Sequence, residues 1–337
     1  MITPVEPIRN AEDPSRVLIT GGSGFLGTNA VAWYLRRGCE VLNLDIKAPE
    51  EPSHVAQWLA CDILDRRSIR AAVRGFDPEV VLHLAARTDL REKRKLEGYA
   101  VNMEGTANTI EALLSCKNLR RSLFASSRMV CRIGYTPQNE EDYCPPNLYG
   151  ESKVRMEQVV RSAGLDTEWL IARPTSIWGP WFGVPYRGFF GAIARGIYYH
   201  PGTRNPEKSF GFVGNTMHQF GRLLTAPAKA VCGKTIYVCD YPPLRLREWA
   251  ETIRRAVDAR PIRSMPLWAL RVVAYAGDIL EGCGWTRPPL TSFRLNNLMT
   301  EMVFDTRSLK DLCGALPYSL EEGVKATVAW MTAVGDV

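Results

Sequence analysis

Tyr149 and Lys153 are the pair of side chains in this sequence best suited to acid–base chemistry. In Tyr149-Gly150-Glu151-Ser152-Lys153 they stand four residues apart, so on a helix they share one face. An ammonium beside a phenol favours the phenolate and lowers the pKa of the phenol from its ordinary value of about 10. The pair predicts a general acid/base site, although a surface tyrosine packed on a lysine stem has the same spacing.

A glycine-rich segment, TGGSGFLG at 20–27, carries a second chemical signature. It follows a β-branched run at 16–19 and opens an apolar-periodic run that Gly38 ends. Strand, glycine turn and helix in this order predict a dinucleotide site, with the pyrophosphate on the N-terminus of the helix. The predicted cofactor contacts in this segment are Gly21, Gly24, Phe25, Leu26 and Gly27.

Asp45 ends the next predicted strand, where the ribose 2′-hydroxyl of a dinucleotide is expected, about 20 residues beyond the glycines. A carboxylate there repels a 2′-phosphate, and the glycine turn contains no arginine that would attract one. The predicted cofactor is therefore NAD in preference to NADP, and Lys47 is close enough to keep NADP open.

The elements that position these residues alternate along the chain. Predicted strands lie at 16–20, 40–45, 58–61, 79–85, 122–126, 168–172 and 235–239, with helical patterns between most of them, including 66–74, 100–115 and 149–162. Such alternation predicts an α/β fold, a doubly wound parallel sheet of the Rossmann type with helices on both faces.

Beyond about residue 175 the alternation fails, and prolines, glycines and aromatic residues predominate. We expect a smaller, loop-rich lobe over the carboxyl edge of the sheet, where ligands of such folds bind. The predicted organisation is an N-terminal extension (1–14), an NAD-binding Rossmann domain (15–174) and a substrate-binding lobe (175–335), with about 210–240 returning to the sheet.

Composition fits a globular enzyme and disfavours other classes. The chain has 337 residues and a net charge of +6, which suits an anionic ligand, but its basic residues are too dispersed to predict nucleic-acid binding. Nine cysteines without a C-x-x-C pair indicate a reducing compartment and neither a disulfide framework nor a metal site. Without a signal pattern or a long apolar run, we predict a cytoplasmic protein with no membrane-spanning segment.

Further motifs complete the pattern: HLAA at 83–86, VNMEGT at 101–106, ASS at 125–127 and RP at 173–174. Together the motifs resemble those of the extended short-chain dehydrogenase/reductase family, which includes NAD-dependent sugar epimerases and dehydratases. The resemblance extends from about residue 15 to about residue 332. It implies NAD-dependent chemistry on a small-molecule substrate by a homodimer.

The resemblance also implies roles for individual residues. Ser127 would hydrogen-bond the reacting oxygen, Tyr149 would be the general acid/base, and Lys153 would bind the nicotinamide ribose and lower the pKa of Tyr149. The other implied cofactor-side residues are Asp62 and Ile63 at the adenine, Leu84, Ala85 and Ala86 near the pyrophosphate and ribose, Asn102 as a structural or cofactor-side asparagine, and Pro174. His83 is interpreted as a structural histidine.

Three departures bear on the substrate. Arg128 and Met129 stand where sugar 4,6-dehydratases carry an Asp-Glu pair, so dehydratase activity is not expected. Ser176 replaces the asparagine that faces the diphosphate in many sugar-nucleotide enzymes of the family. The other candidate substrate contacts are Thr88 and Trp178.

Some segments instead resemble the 3β-hydroxysteroid dehydrogenase group: RPT and IWGP within 173–180, FVGN at 212–215 and PPLT at 288–291. That group also has an apolar helix in its second lobe, and the stretch at 266–275 is its counterpart here. Such a helix either packs on the lobe or lies on a membrane surface.

The sequence predicts an NAD-dependent oxidoreductase or epimerase that transfers a hydride at a secondary alcohol or ketone of a nucleotide-linked sugar. The alternative substrate is a sterol-like or other apolar secondary alcohol. A third hypothesis is a non-catalytic, dinucleotide-binding regulatory protein, against which the intact Ser127, Tyr149 and Lys153 argue.

Overall fold

A computed structural model describes residues 13–90, 92, 94–285 and 290–337. Its strands are β1 (Arg16–Thr20), β2 (Glu40–Asp45), β3 (Trp58–Ala60), β4 (Val80–His83), β5 (Arg121–Ala125), β6 (Glu168–Pro174), β7 (Ser176–Trp178), β8 (Tyr199–Pro201), β9 (Glu207–Lys208), β10 (Phe210–Phe212), β11 (Thr235–Val238), β12 (Leu244–Arg245) and β13 (Arg263–Met265). Part of the predicted extension (1–12) and the prolines of PPLT, Pro288 and Pro289, lie outside the described residues.

Twelve α-helices lie in the described part of the chain. They are α1 (Phe25–Arg36), α2 (Arg66–Phe76), α3 (Ala100–Leu113), α4 (Leu148–Ser162), α5 (Tyr186–Ala194), α6 (Val213–Thr225), α7 (Ala228–Val231), α8 (Leu246–Ala256), α9 (Leu267–Gly282), α10 (Ser292–Met299), α11 (Arg307–Cys313) and α12 (Leu320–Ala333). Short 3-10 turns occur at Pro52–Gln57, Leu96–Tyr99 and Arg128–Val130.

Seven strands form one parallel sheet in the order β11-β6-β5-β4-β1-β2-β3. The predicted doubly wound α/β fold is therefore confirmed. β1 pairs with β2 on one side and β4 on the other, so the strand order reverses there. At such a reversal, the crevice at the carboxyl ends of the strands is the ligand site of this architecture.

Both faces of the sheet are buried, as the continuous apolar runs of its strands require. Val17 and Ile19 of β1 belong to one core layer, and Leu18 between them belongs to the other. Each such side chain contributes roughly 1.5–3 kcal/mol when fully buried. The alternation fixes the register of β1 and hence the position of the turn that follows it.

The remaining strands form three two-stranded sheets in the second lobe, β7 with β10, β8 with β13 and β9 with β12. After β10 the chain returns to the sheet through α6 and β11, which pairs with β6. Strands of two or three residues are too short to show a hydrophobic alternation in the sequence. The sequence therefore predicted this lobe only as loop-rich. None of the described helices has the length and apolarity needed to cross a membrane.

Candidate active site

The turn between β1 and α1 leaves no room for side chains. Gly21 has a φ of +72°, and a Cβ there would lie 2.6 Å from the Cα of Ala85. A Cβ on Gly27 would lie 2.1 Å from the carbonyl oxygen of Gly21. Substitution at either position would displace backbone, so the glycines keep an open cradle at the carboxyl ends of β1 and β4.

The N-terminus of α1 fits an anionic group. Gly24 is its N-cap residue and supplies no side-chain acceptor, and the first turn contains no acidic residue. The first backbone N–H groups of a helix lack intrahelical partners and, with the helix dipole, favour an anion. This end of α1, which begins at Phe25 and Leu26, therefore suits the pyrophosphate of a dinucleotide.

Asp45 lies beside this cradle at the end of β2. Its Oδ2 accepts a hydrogen bond of 3.0 Å from the backbone of Ser23, and its Oδ1 accepts one of 3.0 Å from the backbone of Lys47. Each oxygen keeps a further lone pair, which a ribose hydroxyl could use. The side chain of Lys47 is exposed.

The predicted adenine and ribose residues lie along the same edge. Asp62 is exposed, and its Oδ1 accepts from the backbone of Leu64 at 2.9 Å. Ile63 is buried against Gly105 of α3. The other residues of this group are Leu84, Ala85 and Ala86, which follow β4 and are half-buried, and Pro174, which ends β6.

The side-chain amide of Asn102 is hydrogen-bonded to other residues of the protein. Its Nδ2 donates to the carbonyl oxygen of Arg87 at 3.0 Å and to Oγ of Ser152 at 2.9 Å, while its Oδ1 accepts from the backbone of Arg87 at 2.8 Å. These bonds tie the segment after β4 to α4, so the contacts favour the structural alternative for this residue over the cofactor-side one.

His83 is a structural histidine, as predicted. Its two ring nitrogens form hydrogen bonds of 2.9 Å with the hydroxyls of Thr20 and Thr106. Burial and the nearby Lys153 lower its pKa to about 3, so the ring is neutral near physiological pH.

Ser127 and Tyr149 meet at the carboxyl edge of β5. Asn147 caps α4 by accepting from the backbone of Gly150 at 2.9 Å, which starts the helix next to Tyr149. A hydrogen bond joins the hydroxyls of Tyr149 and Ser127, and Oγ of Ser127 also accepts from the backbone of Met129 at 3.1 Å. The structure thus brings the two predicted residues together.

Lys153 lies one turn further along α4 and is buried. Its Nζ donates to the carbonyl oxygen of Ala125 at 2.8 Å. Burial lowers the pKa of Lys153 to about 8, and Glu157 opposes that shift. A pKa in this range leaves the ammonium predominantly charged at neutral pH.

The pKa of Tyr149 is raised, whereas the sequence predicted that Lys153 would lower it. Burial raises it, and the groups that lower it are the hydroxyl of Ser127 and the guanidinium of Arg128. Lys153 is not among them. The physical reason is that burial outweighs those two groups, while the ammonium of Lys153 is bonded to Ala125.

Sequence reasoning missed Glu157, which is fully buried at the third position of a Tyr-Lys-Glu series spaced by four residues. Its Oε1 accepts from Oγ of Ser126 at 2.5 Å and from Nε of Arg173 at 2.8 Å. Its Oε2 accepts from Nη2 of Arg173 at 2.7 Å and from the hydroxyl of Tyr143 at 3.0 Å. The spacing along α4 was the available signal.

Arg128 is half-buried beside the acid/base pair. Burial lowers its pKa, whereas Tyr186, Tyr149 and Tyr237 raise it. No described carboxylate forms an ion pair with this guanidinium, so pairing with Glu140 or Glu141 does not occur. The arginine is a half-buried cation that interacts electrostatically with three tyrosine hydroxyls and with Lys208.

A second cation, Lys208, lies near Arg128 but is held by backbone. Its Nζ donates to the carbonyl oxygens of Asn297, at 2.7 Å, and Thr300. Burial, followed by repulsion from Arg128, lowers its pKa to about 8. Sequence reasoning did not single out this residue, because an isolated lysine in a two-residue strand carries no local signal.

The other candidate substrate residues lie in different environments. Ser176 is buried and hydrogen-bonds Tyr186, Met129 is half-buried next to Ser127, and Thr88 is exposed. Trp178 is 0% exposed and packs against other rings of the second lobe, including Trp249 at 5.5 Å between centroids. This corrects the prediction of a substrate contact at Trp178, because a fully buried ring leaves no surface for a ligand.

Comparison with known proteins extends these observations. A family model described as "NAD dependent epimerase/dehydratase family" matches residues 17–239. A 3-beta-hydroxysteroid dehydrogenase of Mycolicibacterium neoaurum is 30% identical over 72% of this chain and 70% of that protein. The N-acetyl-alpha-D-glucosaminyl-diphospho-ditrans,octacis-undecaprenol 4-epimerase of Escherichia coli O157:H7 is 25% identical over 93% of this chain and 94% of that protein.

A solved structure shows the same fold. The UDP-glucuronic acid 4-epimerase of Bacillus cereus, in complex with UDP-glucuronic acid and NAD, matches with a TM-score of 0.71 and 16% identity. The match covers 94% of this chain and 99% of that one.

Proposed function

This chain belongs to the NAD-dependent epimerase/dehydratase family, and from that premise we propose that it transfers a hydride at a secondary alcohol or ketone through Ser127, Tyr149 and Lys153. The observation that carries the proposal is the hydrogen bond between Tyr149 and Ser127, one helical turn from a buried lysine. A dinucleotide-binding regulatory protein would not need this arrangement. Turnover with NAD on a panel of alcohols tests the proposal, and saturation by NAD without any turnover would contradict it.

In the proposed reaction the bound nicotinamide supplies the ring that accepts or returns a hydride. The phenolate of Tyr149 would take the proton of the substrate alcohol as the hydride leaves and so become the phenol, while Ser127 donates a hydrogen bond to the same oxygen. The ammonium of Lys153, one helical turn away, would offer donors to a ribose. In the reverse direction Tyr149 returns the proton to the ketone oxygen.

NAD is the proposed cofactor in preference to NADP. The support is the carboxylate of Asp45, which is held against the glycine turn by the backbone of Ser23. A 2′-phosphate at that point would meet a like charge. We expect NAD to bind at least about tenfold tighter than NADP, a difference of about 1.4 kcal/mol, in calorimetric titrations.

The proposed substrate is a nucleotide-linked sugar, and Arg128 is the residue that supports it. A half-buried guanidinium without a carboxylate partner among the described residues can offer its donors to a ligand oxygen. Phosphates and sugar hydroxyls match its planar fork of donors. Ser176 in place of the usual asparagine leaves room for a different mode of diphosphate binding.

A sterol-like or other apolar secondary alcohol is the second candidate. The observations that favour it are the 30% identity to a 3-beta-hydroxysteroid dehydrogenase and the tyrosines, Tyr186 and Tyr237, around Arg128. Aromatic side chains provide apolar area that suits fused rings. An unpaired guanidinium at the same place disfavours such a substrate.

Thermal stability distinguishes the two substrates, because a ligand that binds the folded state raises the melting temperature. We expect nucleoside diphosphates to raise the melting temperature of the NAD-bound protein, and Arg128→Ala to reduce the gain. Arg132→Ala is the matched control. Arg132 lies four residues after Arg128, is exposed, and has its guanidinium over the ring of Tyr135. A shift with sterols in mild detergent, and none with nucleoside diphosphates, would reverse the assignment.

The proposed organisation is a cytoplasmic homodimer with cofactor residues in 15–174 and substrate residues mainly in 175–335. The division of the chain is supported by the contrast between the seven-stranded sheet and the short two-stranded sheets that begin at Ser176. Sedimentation velocity of the purified chain tests the homodimer.

A further inference from the structure

Helix α9 exposes an apolar stripe that faces away from the rest of the second lobe. Trp268, Val272, Tyr275 and Ile279 have 71%, 62%, 66% and 52% of their surface exposed. Their spacing of four, three and four residues places all four on one face of the helix. Isolated exposed apolar residues are ordinary, but a continuous stripe with two aromatic rings marks a contact surface.

The opposite face of α9 packs against α10. Leu270 and Ala274 form a small core with Leu295 of α10, and Met299 packs against it. Packing on the second lobe, one of the two expected roles of this helix, therefore accounts for the inner face only. Trp285, which follows α9, and Phe293 of α10 are also exposed and add apolar surface.

The charges around the stripe have one sign over most of its length. Residues 260–276 contain Arg260, Arg263 and Arg271 and no acidic residue, and all three arginines are exposed. The acidic residues of α9, Asp278 and Glu281, stand at its far end. Asp278 is occupied there, because its Oδ1 accepts from the backbone of Ser292 at 2.9 Å.

A fourth arginine enlarges this basic end. Arg247 of α8 is half-buried, and its Nη1 donates to Oγ of Ser264 in β13 at 3.1 Å. β13 ends at Met265, and α9 begins two residues later. The cationic groups thus border the N-terminal end of the apolar stripe.

We propose that this protein docks on anionic lipid bilayers through the outer face of α9. The apolar side chains would enter the boundary between headgroups and acyl chains, and the rings of Trp268 and Tyr275 suit that boundary because each carries a polar atom on an apolar body. The arginines would meet lipid phosphates, so charge complementarity commits the surface to a membrane with anionic lipid.

A second copy of the chain fits this surface less well. A symmetric pair formed through α9 would bring equivalent residues of the two copies to one interface. In a parallel pair the arginines that border the stripe would face like charges. In an antiparallel pair they would meet only Asp278 and Glu281, and Asp278 already accepts from the backbone of Ser292.

Vesicle co-sedimentation of the full chain tests the proposal. We expect binding to vesicles of phosphatidylcholine with 30% phosphatidylglycerol, weaker binding to pure phosphatidylcholine, and a loss of the difference in high salt. Arg260→Gln with Arg263→Gln should weaken binding to the anionic vesicles by roughly fivefold for each arginine. Trp268→Gln with Tyr275→Gln should weaken binding to both kinds of vesicle by about tenfold or more.

Leu114→Gln is the matched control. Leu114 is 57% exposed at the end of α3, away from the stripe, and its replacement should leave vesicle binding unchanged. Melting temperatures of all variants should stay near that of the wild type, because the substituted side chains are exposed.

Three outcomes would overturn the proposal. The first is the absence of wild-type binding to anionic vesicles, and the second is equal binding by the Trp268/Tyr275 double variant. The third is self-association of the wild type that the double variant loses, without vesicle binding, which would assign the stripe to a second copy. Neither readout involves turnover or nucleotide, so a failure here is distinct from a failure of the proposed reaction.

Discussion

Tyr149 is the residue whose replacement tests the proposed chemistry most directly. Tyr149→Phe removes the hydroxyl that meets Ser127 and keeps the ring that lies 6.1 Å from that of Tyr99. We expect turnover to fall by about 10²–10⁴, the usual contribution of a positioned acid/base, with NAD affinity near wild type. Steady-state kinetics and calorimetry measure the two effects. Tyr135→Phe, outside the site, is the control, and a Tyr149→Phe enzyme with most of its activity would refute the assignment.

The pH profile reports on Lys153. Because burial lowers its pKa to about 8, the ammonium is lost as the pH rises through that value, and kcat/KM should fall on the alkaline side. Lys153→Arg keeps a charge at every accessible pH. Whatever activity that variant retains should therefore lack a decline near pH 8. An unchanged alkaline limb in Lys153→Arg would assign the limb to another group.

Not every residue of the site could be foreseen from the sequence. Ser127 and Tyr149 belong to local motifs, and the structure joins them as expected. Glu157 stands in the four-residue series with Tyr149 and Lys153, but its partner Arg173 could not be read from that spacing. Lys208 is held by Asn297, far away in sequence, and has no local pattern. The spacing of Lys153 and Tyr149 did not predict the direction of the pKa shift of Tyr149. That pKa also depends on burial and on hydrogen-bond partners, which spacing alone does not show.

At the scale of elements, Gly150 allows α4 to approach the 3-10 turn that follows Ser127. A Cβ on Gly150 would lie 2.3 Å from the carbonyl oxygen of Met129. Gly150→Ala should therefore push the two elements apart, lower the free energy of unfolding by about 1–3 kcal/mol and reduce turnover on the order of 10²-fold. Thermal melts and kinetics measure both effects.

Gly75→Ala is the control for that substitution. Gly75 lies in α2, is exposed, and has no atom within 4 Å of its added Cβ. Alanine is the better helix former, so this variant should gain roughly 0.5–1 kcal/mol of stability. If both variants behaved alike, the approach of α4 to the turn would not limit the site.

The elements of the sheet were predictable, whereas those of the second lobe were not. β1, β2 and β6 are long enough for buried apolar runs to show, and their glycine, aspartate and proline ends mark the boundaries. β9 and β12 have two residues each and exist through tertiary pairing alone. The sequence predicts that Trp178 lies in a loop, but its side chain is buried in the core because β7 pairs with β10.

At the scale of the molecule, the region that the family model covers ends where the seven-stranded sheet is complete. The family model ends at residue 239, directly after β11 completes the sheet. The residues beyond it contain α8 through α12, including the exposed stripe of α9. The family model therefore spans the glycine turn and the residues proposed for catalysis, together with the candidate substrate residues Arg128 and Ser176, while the surface proposed to contact membranes lies beyond it.

The stability of the whole molecule should depend on the ionisation of Asp240, which follows β11. Its Oδ2 accepts from the backbone of Phe212 at 2.9 Å and so joins the sheet to the start of α6. Burial raises its pKa to about 7, against an ordinary value of about 3.9. Between those values the folded chain binds more protons than the unfolded chain, so the contribution of Asp240 to stability declines as pH rises and is lost above about pH 7.

Melting temperatures between pH 5 and pH 8 test this prediction. Asp240→Asn keeps an acceptor for Phe212 but cannot ionise, so its stability should fall less than that of the wild type as the pH rises across this range. Asp305→Asn is the control, because Asp305 is bonded by Arg307, which lowers the pKa of Asp305 to about 2, outside the range. Parallel curves for the wild type and Asp240→Asn would show that the carboxylate of Asp240 is already ionised in the fold at pH 5.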